Sequence, residues 1–177
     1  ATCTEEIIGN LKDSDIEYII RLNCMPNPLM LNHFLPLMNK RSKRSGLIDV
    51  ASTLSYYPSG ETHFIAAIQA YIRSLTMGVY SAGNYKNVDF LSTQPGFTKT
   101  NMLPDHGISA LVPRPQSVAE AALRDLGFVS ESFGWSGHYL NGFIRQVLQF
   151  IIPVQFRDIT IGKLENFIRE KTTTSPN

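Results

Sequence analysis

The sequence predicts an α/β fold built on a parallel sheet. Two short apolar runs, GLIDVAS (46–52) and VDFLSTQ (88–94), lack clean alternation and are therefore typical of strands buried on both faces. Segments with helical periodicity lie before, between and after these runs. Helices and strands that alternate at this spacing favour crossover connections between parallel strands. At most three strands can be placed in this way, so the predicted sheet is thin and incomplete.

The composition is that of a globular protein without a strong net charge. The chain has 177 residues, of which 43% are hydrophobic and 18% charged, and its formal net charge is +1. This content is enough for one core and too apolar for a disordered chain. A charge so close to zero gives no field that would draw the chain to nucleic acid. The basic run NKRSKRS (39–45) is interpreted as a solvated loop, with contact to an anion as the alternative.

The cysteines and histidines predict neither a disulfide framework nor a metal site. Cys3 and Cys24 are too few for a framework, which favours a reducing compartment. The sequence has no CxxC or HExxH pattern, and its four histidines lie far apart. We therefore expect each histidine on the surface or in the core, and no metal ligands.

The first helix is predicted over LKDSDIEYIIRLNCM (11–25). Ser14 is placed as its N-cap, because Glu17 follows three residues later with the spacing of a capping box. Pro26 and Pro28 should kink or break this helix, since proline lacks the backbone N–H and clashes with the preceding turn. Apolar periodicity resumes over residues 29–38 and predicts a second helical segment.

Two further helices are predicted, one after each of the two strands. One runs from residue 64 to about residue 80, where apolar residues continue without a break. The other covers SVAEAALRDLGF (117–128), with Ser117 as cap, Glu120 completing a capping box and Gly127 ending the helix.

In the C-terminal third, the residue pattern allows more than one interpretation of the structure. GHYLNGFI (137–144) is read either as a third strand or as the start of a membrane-facing segment. VLQFIIPVQF (147–156) is too short to span a membrane and contains Pro153, so it lies on a membrane, on a partner or in the core. A charged amphipathic segment follows at about 158–171, and the residues beyond it should be frayed.

Several motifs stand in a distinctive order along the chain. They are Asn23, FLPLMNKRSKRSGLIDVAS (34–52), the helix from Phe64, QPGFTKTNM (94–102) and GHYLNGFIRQVLQFIIP (137–153). In this order they resemble the C-terminal half of a short-chain dehydrogenase/reductase, in the very-long-chain 3-oxoacyl-CoA reductase and 17β-hydroxysteroid dehydrogenase branch. The resemblance covers about residues 7–170.

The N-terminal half of that family has no counterpart in the sequence. There is no G-x-x-x-G-x-G turn and no N-N-A-G motif. Such glycines let the backbone approach a pyrophosphate at a helix N-terminus. The resemblance therefore implies a partial Rossmann-like fold, a doubly wound parallel sheet lacking its nucleotide-binding half. We divide the chain into a half-domain at 1–170, with an apolar surface segment at about 144–156, and a tail at 171–177.

The resemblance implies a catalytic Asn, Ser, Tyr and Lys. Asn23 and Ser52 match the first two, but Phe64 falls at the Tyr position and Ile68 at the Lys position. The family's Tyr gives a proton to the forming alkoxide, and its Lys lowers the Tyr pKa and binds the nicotinamide ribose. No tyrosine of the chain has a lysine four residues later, so no change of register restores the pair.

These substitutions predict a chain without catalysis. Asn23 and Ser52 are vestigial in this interpretation, and no catalytic residue is expected. No cofactor-binding residue is expected either, although four residues of the family's nicotinamide-side loop remain: Pro95, Gly96, Thr98 and Thr100. NADP(H) would bind only if another chain supplied the missing half.

We therefore expect an inactive short-chain-dehydrogenase-like protein that serves as an accessory subunit of a larger, membrane-associated assembly. Its partners would be other protein subunits, with membrane contact through 144–156, and not nucleic acid. The compartment is expected to be intracellular, a mitochondrial membrane complex or alternatively the endoplasmic reticulum. Two other interpretations stay open: a piece of an NADPH-dependent 3-oxoacyl-CoA or steroid ketoreductase, and a non-catalytic nucleotide or lipid binder.

Overall fold

The computed structural model describes residues 8–56, 62–100 and 112–151. These residues form five α-helices and a three-stranded sheet. The helices are α1 (Asp13–Asn23), α2 (Pro26–Asn39), α3 (His63–Ser81), α4 (Pro115–Asp125) and α5 (Ser136–Ile151). The strands are β1 (Ser45–Val50), β2 (Val88–Thr93) and β3 (Glu131–Ser132).

The sheet is parallel throughout, as the alternation of elements predicted. Its order is β1-β2-β3, with Ser45 opposite Val88 at one end of the first ladder and Val50 opposite Thr93 at the other. β3 pairs with the carboxyl end of β2 over two residues. The prediction of a partial α/β fold is confirmed, and the strand predictions at 46–52 and 88–94 are correct to within one or two residues.

Helices cover both faces of the sheet. The odd-numbered residues of β1 face α3, because the side chain of Thr76 on α3 hydrogen-bonds to Asp49. The even-numbered residues face the other way, towards Leu126 at the end of α4, whose Cδ2 atom lies 2.6 Å from where a Cβ on Gly46 would be. On the α3 face, α2 and α3 bury a cluster formed mainly by Leu31, Leu35, Val88 and Phe90. Among the described residues, the main apolar core therefore lies on the α3 face of the β1–β2 pair.

The outer edge of β1 is bare in the part of the chain that the structure describes. The backbone N–H groups of Ser45 and Ala51 donate to Asn87 and Thr93 at 3.0 and 2.9 Å, so odd-numbered residues pair with β2. The N–H groups of Ile48 and Val50 consequently point away from β2, because hydrogen-bonding direction alternates along a strand. Val50 is 62% exposed. A β-branched side chain beside a bare edge is a surface that proteins normally cover.

Two helix-cap predictions were wrong, and one of the two interpretations of residues 137–144 is contradicted. α1 has Lys12 at its N-cap without a side-chain bond, so Ser14 is not a cap. α4 begins two residues before Ser117, because Pro115 occupies the first helical turn, where its missing N–H costs nothing. Residues 137–144 are helical within α5 and not a strand, since the third strand lies earlier at Glu131–Ser132.

Other predictions were correct. Pro26 does separate α1 from α2, and it begins the second helix. Gly127 follows the end of α4 with a φ of 84°, a conformation that favours glycine. The predicted segments at 152–156 and 158–171 lie outside the described residues.

Of the helices that the structure describes, none is long and apolar enough to cross a membrane. The described residues contain no group of His, Cys, Asp or Glu side chains that could hold a metal ion, and the expectation of no metal ligands stays a prediction.

Candidate functional site

Two of the four positions that the resemblance marks as catalytic, Phe64 and Ile68, lie in one apolar cluster, here called the α1–α3 cluster. Its buried members are Ile19, Ala51, Ile68 and Ile72, and Cys24, Phe64 and Ile65 pack against it. Ile68 and Phe64 therefore belong to it directly. Asn23 and Ser52 are the sequence neighbours of Cys24 and Ala51.

Ile68 lies deep in this cluster. Only 3% of its surface is exposed. The residues around it belong to α1, to α3 and to the end of β1. Phe64 is half-buried one helical turn earlier. Where the family places a phenol and an ammonium group, this chain places an aromatic ring and a branched alkyl group.

Asn23 and Ser52 are held by local hydrogen bonds. The Asn23 side chain donates from Nδ2 to the carbonyl of Ile19 at 2.8 Å. Ser52 caps the 3-10 turn Thr53–Ser55, where its Oγ accepts from the N–H of Leu54 at 3.2 Å. Each side chain thus has a structural role that accounts for it without chemistry. That catalysis is absent stays a prediction for an assay to decide.

The loop after β2 packs against α5. The carbonyl of Pro95 accepts from the N–H of Thr53 at 3.1 Å, and the Thr98 hydroxyl donates to the carbonyl of Gly96 at 3.1 Å. A Cβ at Gly96 would lie 3.0 Å from Cδ2 of His138 on α5. Thr100 is exposed at the end of the described stretch. Pro95, Gly96 and Thr98 are therefore used in packing or local bonding.

The residues present do not fit the family's dinucleotide. A nicotinamide ribose would need a donor at position 68, and Ile68 offers only carbon packed against carbon. The Gly96 backbone, which the resemblance places beside the cofactor, faces the imidazole of His138 instead.

His138 is a residue that the sequence did not single out. It is 2% exposed, and its Nε2 lies 3.0 Å from the carbonyl oxygen of Phe97. Burial lowers the pKa of its imidazole, although the hydrogen bond to Phe97 opposes this shift. The expectation that each histidine is a core or surface residue holds here: His138 ties α5 to the loop after β2.

This burial predicts a loss of stability at low pH. Because the folded chain lowers the pKa of His138, the unfolded chain binds the proton more readily, and stability falls as pH drops through about 6.5 and below. The free energy of unfolding in urea should be smaller at pH 5.0 than at pH 7.5. His138→Gln should reduce that difference, whereas His33→Gln, at an exposed position, should leave it unchanged. Equal differences in all three proteins would contradict the assignment.

A second group that the sequence missed joins Tyr56, Arg73 and Glu131. The Tyr56 hydroxyl donates to Oε1 of Glu131 at 3.0 Å, and the guanidinium of Arg73 lies 4.1 Å from the Tyr56 ring centroid. Arg73 also forms an ion pair with Glu131. Burial, with Glu131 beside it, raises the pKa of Tyr56 to about 12. This shift is opposite in direction to the lowered pKa that the resemblance implies for the family's proton donor.

A buried carboxyl lies between α3 and the sheet. Asp49 is 9% exposed and accepts from the Ser92 hydroxyl at 3.2 Å, and Gln94 in turn donates to that hydroxyl at 2.9 Å. Burial raises the pKa of Asp49, against the hydrogen bonds from Ser92 and Thr76. These partners are themselves buried, so the network links α3 to two strands and serves packing.

Known proteins share this architecture. No family model matches the chain. The very-long-chain 3-oxoacyl-CoA reductase of Anas platyrhynchos is 25% identical over 136 residues, which are 77% of this chain and 43% of that protein. A solved structure of a 7β-hydroxysteroid dehydrogenase superposes with a TM-score of 0.73 at 17% identity, covering 88% of this chain and 60% of the other. The chain spans about half the length of the curated relatives it matches.

A second similar structure was solved with a bound dinucleotide. The 3-ketoacyl-(acyl-carrier-protein) reductase of Brucella melitensis, solved in complex with NADH, superposes with a TM-score of 0.62 at 15% identity. It covers 72% of this chain and 58% of that one.

The class of protein follows from the sheet and the superpositions: this is an α/β protein with a partial Rossmann-like fold. More narrowly, the chain resembles the short-chain dehydrogenase/reductase family, and within it the branch of the steroid dehydrogenases and very-long-chain 3-oxoacyl-CoA reductases. The predicted resemblance is confirmed, over the part of those proteins that the chain matches.

Proposed function

We propose that this chain is a catalytically inactive relative of the short-chain dehydrogenase/reductases and serves as an accessory subunit of a larger, membrane-associated assembly. Its role is to supply a shaped surface. Other protein subunits are its partners, and it binds no cofactor. The assembly is mitochondrial in this proposal, with the endoplasmic reticulum as the alternative.

The observation that carries the proposal is the packing of Phe64 and Ile68 in the α1–α3 cluster. A positioned general acid contributes roughly 10²–10⁴ in rate. Phe64 has no proton to give, and Ile68, at 3% exposed, occupies the space in which a cation would have to sit. Both positions lie within this chain, so sequence added at either end would not change them.

The edge of β1 supports the accessory role. Within the described residues, no strand pairs with its outer side, and Val50 is exposed there. Completing a three-stranded sheet requires further strands, from the rest of the protein or from a partner. The membrane association is proposed from the branch that the chain resembles.

An assay of the purified full chain with its natural partners tests the proposal. NADPH oxidation with a long-chain 3-oxoacyl-CoA or a steroid ketone is expected to stay at the rate without protein. The reductase of Anas platyrhynchos, assayed in parallel, is the positive control. Turnover that a Ser52→Ala variant abolishes would overturn the proposal, because it would show a working site at the family's position.

The named relatives favour one alternative, a ketoreductase of which this chain is a part. It predicts turnover in the same assay once the missing half is present. The other alternative, a nucleotide or lipid binder without turnover, predicts retention of NADPH in equilibrium dialysis while the assay stays negative. The two measurements together separate the three functions.

A further inference from the structure

The basic run between α2 and β1 is a loop that Asn87 holds in place. Asn87 lies just before β2, and its Nδ2 donates to the carbonyl oxygens of Arg41 and Lys43 at 2.7 and 3.3 Å. Its backbone N–H donates to Oδ1 of Asn39 at 3.0 Å, and its carbonyl accepts from the N–H of Ser45 at 3.0 Å. The cationic side chains of the loop therefore extend from a fixed backbone.

Most cations at this loop have no acidic partner in the described part of the chain. Arg44 forms an ion pair with Asp89. Residues 18–88 contain seven lysines and arginines and two acids, Asp49, which is buried, and Glu61. Four exposed cations beside Asn87 form no ion pair with a described residue: Lys40, Arg41, Lys43 and Lys86. The surface here is therefore positive, although the whole chain has a net charge of only +1.

A fully presented aromatic side chain lies close to this loop. Of the large apolar residues that the structure describes, Phe128 is the most exposed, at 87%. It follows Gly127, where a Cβ would lie 3.6 Å from Cγ of Asp89, the partner of Arg44. The backbone N–H of Phe128 donates to the carbonyl of Asp125 at 3.0 Å. The ring thus projects from a closed turn next to the cations.

These groups share the end of the sheet at which its strands begin. The three strands are parallel, α2 leads into β1, and α4 leads into β3, so the preceding loops meet at one end. Leu37, in the last turn of α2, is 54% exposed there. We call this surface the basic end and define it by five residues: Lys40, Arg41, Lys43, Lys86 and Phe128. Apolar side chains among cations are typical of surfaces that rest on anionic lipid.

We propose that the basic end docks on a membrane surface that contains anionic phospholipids. The four cations contact the headgroup phosphates, each contributing roughly fivefold in affinity. Phe128 enters the layer between the headgroups and the acyl chains. A lipid surface suits both parts together, because it offers negative charge to the cations and an apolar boundary to the ring. The inference rests on the membrane association in the proposed function and specifies the face that makes the contact.

Sedimentation of the full chain with vesicles tests the cations. Binding to phosphatidylcholine vesicles with about 30% phosphatidylserine should exceed binding to pure phosphatidylcholine at least tenfold, and high salt should abolish the excess. Lys43→Gln combined with Lys86→Gln should lower the partition coefficient at least tenfold. The matched control is Lys12→Gln with Arg114→Gln, which removes the same charge from exposed sites outside the basic end and should lower it less than twofold.

A second pair of variants tests the aromatic contact. Phe128→Ser should lower the partition coefficient at least threefold, while Phe143→Ser, at an exposed position on α5, should leave it unchanged. In the unaltered chain, the same vesicles should slow amide hydrogen exchange at residues 40–44 and 127–129 and not at residues 136–143. This second measurement needs no variant, so it decides the matter even if a variant does not fold.

Three results would overturn the inference. Binding that depends on Phe143 and not on Phe128 would place the membrane at α5 and leave membrane association itself intact. Binding of a DNA duplex without binding of vesicles would assign the cations to nucleic acid. Equal binding to both kinds of vesicle would show that the cations do not contact lipid. The absence of catalysis is tested separately by the turnover assay and does not depend on any of these results.

Discussion

Ile68→Lys is expected to unfold the chain. The substitution restores the residue type that the family carries at this position, but here the side chain is 3% exposed among Ile19, Ala51 and Ile72. An ammonium group at that place would have no partner and no water, which costs more than about 4 kcal/mol. The free energy of unfolding in urea, measured by circular dichroism, should fall by at least that amount.

Ala67→Lys is the matched control. Residue 67 is the neighbour of Ile68 on α3, and its side chain is exposed. The same chemical group should change stability there by less than about 0.5 kcal/mol. A folded Ile68→Lys variant with nearly unchanged stability would show that position 68 is open to solvent. That result would contradict the proposal that apolar packing fills the family's catalytic positions.

Ile48→Pro is expected to break the assembly and leave the described sheet intact. The N–H of Ile48 points away from β2, so its loss removes no bond of the β1–β2 ladder. Proline is tolerated at a free edge and excluded where a strand pairs. If a further strand pairs with β1 in the intact protein, the variant should enter the native assembly more than tenfold less than the unaltered chain, on native gels of detergent extracts.

Leu47→Pro provides the contrast, because its N–H faces β2 and its loss should unfold the chain itself. Normal assembly of the Ile48→Pro variant would mean that no strand pairs with the outer edge of β1. The accessory-subunit proposal would then lose the surface on which it places the partner.

Much of the fold could be predicted because its signals are local. Uninterrupted apolar runs mark β1 and β2, and the long apolar segment from Phe64 marks α3. The helix caps were predicted less well. Ser14 and Ser117 both have a capping-box spacing, but a helix starts where the backbone first turns, and Pro115 starts α4 earlier.

The third strand shows where local signals end. Residues 137–144 were open to two interpretations, a third strand or the start of a membrane-facing segment, because periodicity alone does not decide the structure of a short apolar run. The structure makes them part of α5, and it takes the strand from Glu131–Ser132, which is only two residues long. Such a short strand forms because the backbone of β2 supplies its hydrogen-bond partners. No pattern in its own two residues predicts it.

The sequence by itself determined that no Tyr-x-x-x-Lys pair exists in this chain, because that statement needs only residue identities and holds in every register. It also determined the alternation that makes the sheet parallel. Only the tertiary structure decided that Ile68 is core, that His138 closes the loop at Gly96, and that Tyr56 is held by Arg73 and Glu131. The physical reason is distance along the chain: burial and these contacts join residues tens of positions apart, and their energies depend on positions that no local period encodes.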